Sequence, residues 1–181
     1  MSLLTTTIGA YPKPDYVPTP DWFREGGAGI SNPTTAYQKY LANLPDNIEE
    51  ILDRGTEEVV NDQVSVGIDI PADGEVRRES YFNEFANALG GLDLDNPGEV
   101  LSRLGNKTLV PRVVGPITRS ESVFVRDVAY LRSQTDRQIK VTVPGPFTMT
   151  RLVMDDYYHD EEALIGTYAE AVNGELKDLK A

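Results

Sequence analysis

The chain has 181 residues, 40% of them hydrophobic and 25% charged, which places it in the soluble globular class with enough apolar side chains for one ordinary core. Its 17 basic against 29 acidic side chains leave a formal charge of −12, which repels a polyphosphate backbone and excludes nucleic acid as a partner. No stretch approaches about 18 uninterrupted apolar residues, and the Met-Ser-Leu-Leu start has no basic or apolar leader, so no membrane partner is expected and the expected address is the cytoplasm.

Residues 4 to 10 read as a β-branched strand. Residues 11 to 33 follow as a long loop with Pro12, Pro14, Pro18, Pro20 and Pro33 and with Gly26, Gly27 and Gly29. Loops beyond about 12 to 15 residues are functional lids or disordered segments, and Trp22 and Phe23 argue for docking onto the body. Helical periodicity runs from Thr34 to Leu44 and restarts at Asp46, where Asp46 and Glu49 form a capping-box-like pair. Ile48, Ile51, Leu52, Val59, Val60 and Val64 then mark one buried face.

A second strand starts near Val66 and ends in the turn Asp73-Gly74-Glu75. Tyr81, Phe82, Phe85 and Leu89 fit a helix that Gly90-Gly91 ends. The third predicted strand is Leu109 to Val114, closed by Gly115-Pro116, with a helix signalled by Thr118 and Glu121 through Leu131. The fourth is Ile139 to Val143, closed by Pro144-Gly145-Pro146. Asp160, Glu161 and Glu162 then start a helix whose buried face is Leu164, Tyr168, Val172, Leu176 and Leu179. Strands alternating with helices predict an α/β fold of parallel, right-handed βαβ units in a single domain spanning residues 1–181. A small doubly wound sheet fits the same pattern, although no Gly-x-Gly-x-x-Gly follows any strand to support a Rossmann reading.

Four turns stand out as candidates for a site. Gly9, in Ile8-Gly9-Ala10, lets main-chain N–H groups approach a small anion such as a carboxylate, although a plain turn has the same pattern. Asp73-Gly74-Glu75 offers two carboxylates with Arg77 and Arg78 behind them, to hold an ammonium group, to orient a metal-bound group, or simply as a solvated turn. Gly115-Pro116-Ile117-Thr118 and Gly145-Pro146-Phe147-Thr148 are matched, each Thr reading as a helix cap. Arg77-Arg78, Arg126, Arg132 and Arg137 read as helix-surface charges, His159 as an exposed residue near a helix start, and Met149 and Met154 as packing residues. With no cysteine and one histidine, the chain has no thiolate or His-rich metal site of its own.

In order and spacing, Thr5-Thr6-Thr7-Ile8-Gly9-Ala10-Tyr11-Pro12, Asp73-Gly74-Glu75 with Tyr81-Phe82, Val114-Gly115-Pro116-Ile117-Thr118 and Val143-Pro144-Gly145-Pro146-Phe147-Thr148 resemble the first half of the catalytic barrel of cobalamin-independent methionine synthases. The resemblance implies a (β/α)8 TIM barrel. Such a barrel needs about 250 residues, so this chain would supply about its first four β/α units as the N-terminal half of a longer methyltransferase. It implies transfer of a methyl group to the thiol of homocysteine or a similar thiol, from a folate or a methylcorrinoid protein. By the same resemblance Ile8, Gly9 and Ala10 would hold the substrate carboxylate and Glu75 its amino group. Family members have Ser where this chain has Ala10, and folate-using members place Arg and Trp where Asn106 and Leu152 stand, which favours a donor other than a polyglutamyl folate. Zinc is implied by the family, with its ligands beyond residue 181, so the chain alone is expected to be inactive. The competing reading is a non-catalytic half-barrel that binds a small molecule or assembles as a homo-oligomer over its open sheet edges.

Overall fold

The computed structural model describes residues 3–21, 23–24, 33–101, 105 and 107–180. Trp22, Gly26, Gly27, Gly29 and Asn106 lie outside the described residues, and so do the expectations that rest on them. The elements in chain order are α1 (Pro33–Leu41), α2 (Ile48–Ser65), α3 (Asn83–Asn87), β1 (Gly90–Leu101), β2 (Lys107–Thr118), α4 (Val125–Ser133), α5 (Pro146–Arg151), β3 (Met154–Asp155) and α6 (Glu161–Lys180).

The predicted parallel strands are present in shortened form. Residues 5–8, 68–72 and 139–143 run side by side through isolated parallel bridges, Thr6 to Ile70 and Ala72 to Lys140. Main-chain bonds join them from the Ile70 N–H to the Thr5 carbonyl and from the Lys140 N–H to the Pro71 carbonyl, each 3.0 Å. Side chains supply the remaining ties. The buried Gln63 amide of α2 donates to the Ala72 carbonyl at 2.8 Å, and its oxygen accepts from the Ala72 N–H at 3.0 Å and the Thr7 hydroxyl at 3.2 Å. A helix side chain thus substitutes for a strand neighbour at residue 72.

The third predicted strand is a correction to the parallel four-strand plan. Residues 109–114 belong to β2, which pairs antiparallel with β1 in a three-stranded sheet ordered β1-β2-β3. β1 carries Gly90, Gly91, Asn96, Pro97 and Gly98, residues of poor strand propensity. It is a strand because β2 pairs with it, as Leu92 with Val113 and Val100 with Thr108, with a bulge between Asp93 and Gly98.

The larger core lies where β2, α3, α5 and α6 meet, with Phe85, Phe124, Met149 and Tyr168 fully buried and the Phe85 and Phe124 rings stacked at 5.8 Å. Val17, Leu52, Val59 and Val76 form a second cluster beneath α2. Glu175 of α6 is also fully buried, and its carboxylate accepts from the Phe124 N–H at 2.8 Å and from Arg119 at 2.8 and 3.0 Å. Several predicted caps are absent. Asn47, Phe124 and Gly145 hold the N-cap positions of α2, α4 and α5 without a side-chain bond, so Asp46, Thr118 and Thr148 do not cap those helices. Asp160 does cap α6, accepting from the Glu162 and Ala163 N–H groups at 3.0 and 3.2 Å. Leu176, expected on the buried face, is 51% exposed.

Between α2 and α4, Arg77 is paired with Glu49 at 2.9 Å, with Asp127 at 3.4 Å and with Asp53. Burial raises the nearby Glu84 carboxyl to about 7, Asp127 adding to the rise and Arg78 and Arg77 opposing it. A carboxyl whose folded pKa lies above its unfolded value of 4.5 binds more protons in the fold, so stability falls as pH rises from about 4.5 to about 7. Glu84→Gln is expected to remove this slope and to stabilise the protein by roughly 1–3 kcal/mol at pH 8, as urea unfolding at pH 5 and pH 8 would show.

Candidate functional site

The site is built where the first two parallel segments end. Gly74 and Glu75 adopt φ of +66° and +55°, two consecutive left-handed residues that turn the chain sharply. The glycine is required twice over, because a Cβ there would lie 2.5 Å from Val59 Cγ1 and 3.0 Å from Tyr11 Cβ. Asp73 stabilises the turn, its Oδ1 accepting from the Glu75 N–H at 3.1 Å. The Tyr11 N–H donates to the Gly74 carbonyl at 3.1 Å, which locks the first turn onto the second.

This lock brings the candidate residues together. A Cβ at Gly9 would lie 2.5 Å from Glu75 Oε1 and 2.8 Å from Thr142 Oγ1, so glycine is needed here for side chains of both neighbouring segments to reach its Cα. The freedom of main-chain approach read from the sequence is accompanied by this steric demand. Ile8 turns its side chain outward, 94% exposed, while its carbonyl accepts from Lys140 Nζ at 3.1 Å. Lys140 also donates to the Thr7 carbonyl. Ala10 is half-buried beside them.

Glu75 is 6% exposed and sits in a charged interior. Burial raises its carboxyl above the ordinary range, Arg78 opposes that rise, Asp73 adds to it, and Lys13 and a hydrogen bond from Thr142 oppose it. Arg78, read from the sequence as a surface charge, is 0% exposed. It is paired with Asp73, donates to the Thr142 carbonyl at 2.8 Å and lies 4.6 Å from the centre of the Phe124 ring. Lys13 Nζ donates to the Pro20 and Arg78 carbonyls at 2.7 and 2.9 Å, and burial lowers its pKa to about 8. The first long loop is thereby tied to the loop that carries Glu75.

The other singled-out residues stand apart. His159 is exposed, with φ of +51°, just before α6. Leu152 closes α5 and packs, partly buried, on the larger core. Among the described residues no group of three or more His, Cys, Asp or Glu side chains is arranged to hold a metal ion. No helix among them is long and apolar enough to cross a membrane.

Sequence reasoning passed over Lys140 and Thr142. Their signal was the alternation Lys140-Val141-Thr142-Val143, which puts both polar side chains on one face of the third segment.

The family model described as "Cobalamin-independent synthase, Catalytic domain" matches residues 3–181. A methionine synthase of Saccharolobus solfataricus is 29% identical over 179 residues, covering 98% of this chain and 49% of the relative. One from Sulfurisphaera tokodaii is 28% identical over 181 residues, covering 98% and 48%. Among solved structures, a B12-independent methionine synthase from Shewanella sp. W3-18-1 in complex with selenomethionine superposes with a TM-score of 0.80 at 31% identity, over 97% of this chain and 48% of that one. The chain thus spans about half the length of the curated relatives it matches.

Proposed function

The chain belongs to the cobalamin-independent synthase catalytic-domain family, and we propose from this that it supplies the amino-acid-binding wall of a methionine synthase active site. In this reading Glu75 takes the ammonium group of homocysteine or methionine, and the main chain at Ile8, Gly9 and Ala10 takes the carboxylate. The observation that carries it is the packing of the Glu75 carboxylate against the Gly9 Cα, which puts the proposed ammonium partner one side chain from the proposed carboxylate cradle, at the ends of neighbouring segments. A free amino acid presents an ammonium and a carboxylate on one carbon, and this spacing suits it.

The three parallel segments are proposed as the first three staves of a (β/α)8 barrel, with residues 1–181 forming one domain and residues 11–33 a long Pro/Gly-rich loop within it. The exposed side chains of Leu3, Leu4 and Ile8 support a companion surface over this face, which further chain or a second copy would supply. Zinc does not fit the described residues, which lack a ligand cluster in a chain without cysteine, so no step is assigned to it here. Its ligands would come from the half of the relatives that this chain does not span. A folate or a methylcorrinoid protein is proposed as methyl donor, and the cytoplasm as the location.

What these residues do is bind and orient. An ionised Glu75 fixes the ammonium end, and the buried Arg78 opposes the rise that burial imposes on its carboxyl. Binding should then weaken on acidification at a pH above the ordinary Glu range of about 4.3. Glu75→Gln is expected to weaken L-methionine binding at least ~10-fold, about 1.4 kcal/mol, and to abolish this pH dependence. Titration calorimetry between pH 4.5 and 8 reads both, and unchanged affinity would remove the assignment.

A further inference from the structure

We infer that Thr142, on the third parallel segment, is the positioning residue that holds the Glu75 side chain in its amino-group-binding orientation. The inference rests on the reading of Glu75 given above.

The geometry is a three-way junction. The Gly9 Cβ position is 2.5 Å from Glu75 Oε1 and 2.8 Å from Thr142 Oγ1, so both oxygens press on one point of the first segment, from the second and the third. Glu75 has a main chain of positive φ, which points its side chain somewhere a regular turn would not. A flexible carboxylate on a strained turn needs a fixed partner to keep a single rotamer. Thr142 is fixed at both ends. Its carbonyl accepts from the fully buried Arg78 at 2.8 Å, and its chain is tied to the second segment at the bridge of Ala72 and Lys140.

The chemistry favours the ionised carboxylate. A hydroxyl donates to a carboxylate and rotates to suit it, and Thr has one β-branched rotor rather than a long arm. The hydrogen bond from Thr142 counters the rise that burial imposes on Glu75. Arg78 acts on the same two residues, as a charge toward Glu75 and as a donor to the Thr142 main chain, so the second and third segments share one anchor. Thr142 therefore sets the direction of the group that reads the ammonium and adds to the opposition against its protonation.

The test compares Thr142→Val, which keeps the shape and removes the hydroxyl, with Thr142→Ser, which keeps the hydroxyl. The Glu75 carboxyl is followed by carbon NMR across pH in the 181-residue chain, with circular dichroism to check folding. Thr142→Val is expected to raise the Glu75 pKa and Thr142→Ser to leave it near the wild-type value. If the valine variant does not fold, Thr142→Ala against Thr142→Ser gives the same contrast. An identical Glu75 titration in the hydroxyl-free and hydroxyl-bearing variants overturns the inference. The functional reading fails separately. If Glu75→Gln leaves L-methionine affinity unchanged while Thr142→Val still shifts the Glu75 titration, the coupling between these residues stands but the assigned role of Glu75 does not. If Glu75→Gln weakens binding and Thr142→Val leaves the titration in place, only the role of Thr142 falls.

Discussion

Gly9→Ala is expected to reduce L-methionine affinity by roughly 100-fold and to destabilise the fold by about 1–3 kcal/mol. The added methyl would meet Glu75 Oε1 at 2.5 Å and Thr142 Oγ1 at 2.8 Å, both closer than ordinary contact. The main chain of Glu75 is fixed by its turn and that of Thr142 by Arg78, so the carboxylate is the part that moves. In the proposed binding mode a displaced Glu75 no longer faces the ammonium group, and the peptide of the proposed carboxylate cradle shifts with Gly9. Binding is thus lost at both ends by one methyl group. Gly166→Ala on α6 is the matching control, since its Cβ meets nothing within 4 Å. That change should stabilise by about 0.5–1 kcal/mol through helix propensity alone. Calorimetry and thermal unfolding of both variants check the pair, and equal effects from the two glycines would show that the Gly9 junction is not tightly packed.

Arg78→Met is expected to cost about 3–5 kcal/mol in urea unfolding, the largest loss of stability from any single change considered. The guanidinium is fully buried between Asp73, the Thr142 carbonyl and the Phe124 ring. Its removal leaves Asp73 and Glu75 as buried acids with their main counter-charge gone. With Arg78 gone, nothing of that strength opposes the rise that burial imposes on Glu75, and the loss should be smaller at pH 5 than at pH 8. The double variant Asp73→Asn/Arg78→Met separates charge from packing. If the unpaired carboxylate dominates, the double variant recovers a large part of the loss, whereas additive losses would assign the effect to packing.

How much of this was legible depended on whether a residue speaks for itself or through a partner. Gly9 and Glu75 could be singled out because a glycine and an acid at a strand end are visible without knowing the neighbours, while the roles proposed for them came from the resemblance to the family. The helices at 48–65 and 161–180 were legible for the same reason, their apolar stripe being periodic within one segment. β1 was not, because its Gly, Asn and Pro residues form a strand only against β2, and no local pattern records an antiparallel partner. Residues 109–114 satisfied the strand pattern, but that pattern is blind to direction, and they joined an antiparallel pair. Arg78 looked like a surface charge because a buried arginine differs from an exposed one only in what surrounds it. Thr142 and Lys140 needed the register of the third segment, which is set by the Ala72 to Lys140 bridge and cannot be counted along the chain.

The three parallel segments are joined by isolated bridges and by long side chains, Gln63 from α2 and Lys140 and Arg78 across the gap. Main-chain ladders are indifferent to residue type, whereas these rivets each depend on the identity of one amino acid. The alignment of the binding wall is therefore written in individual codons. A single substitution at one of these rivets can shift one segment against the next while the surrounding helices stay as they are.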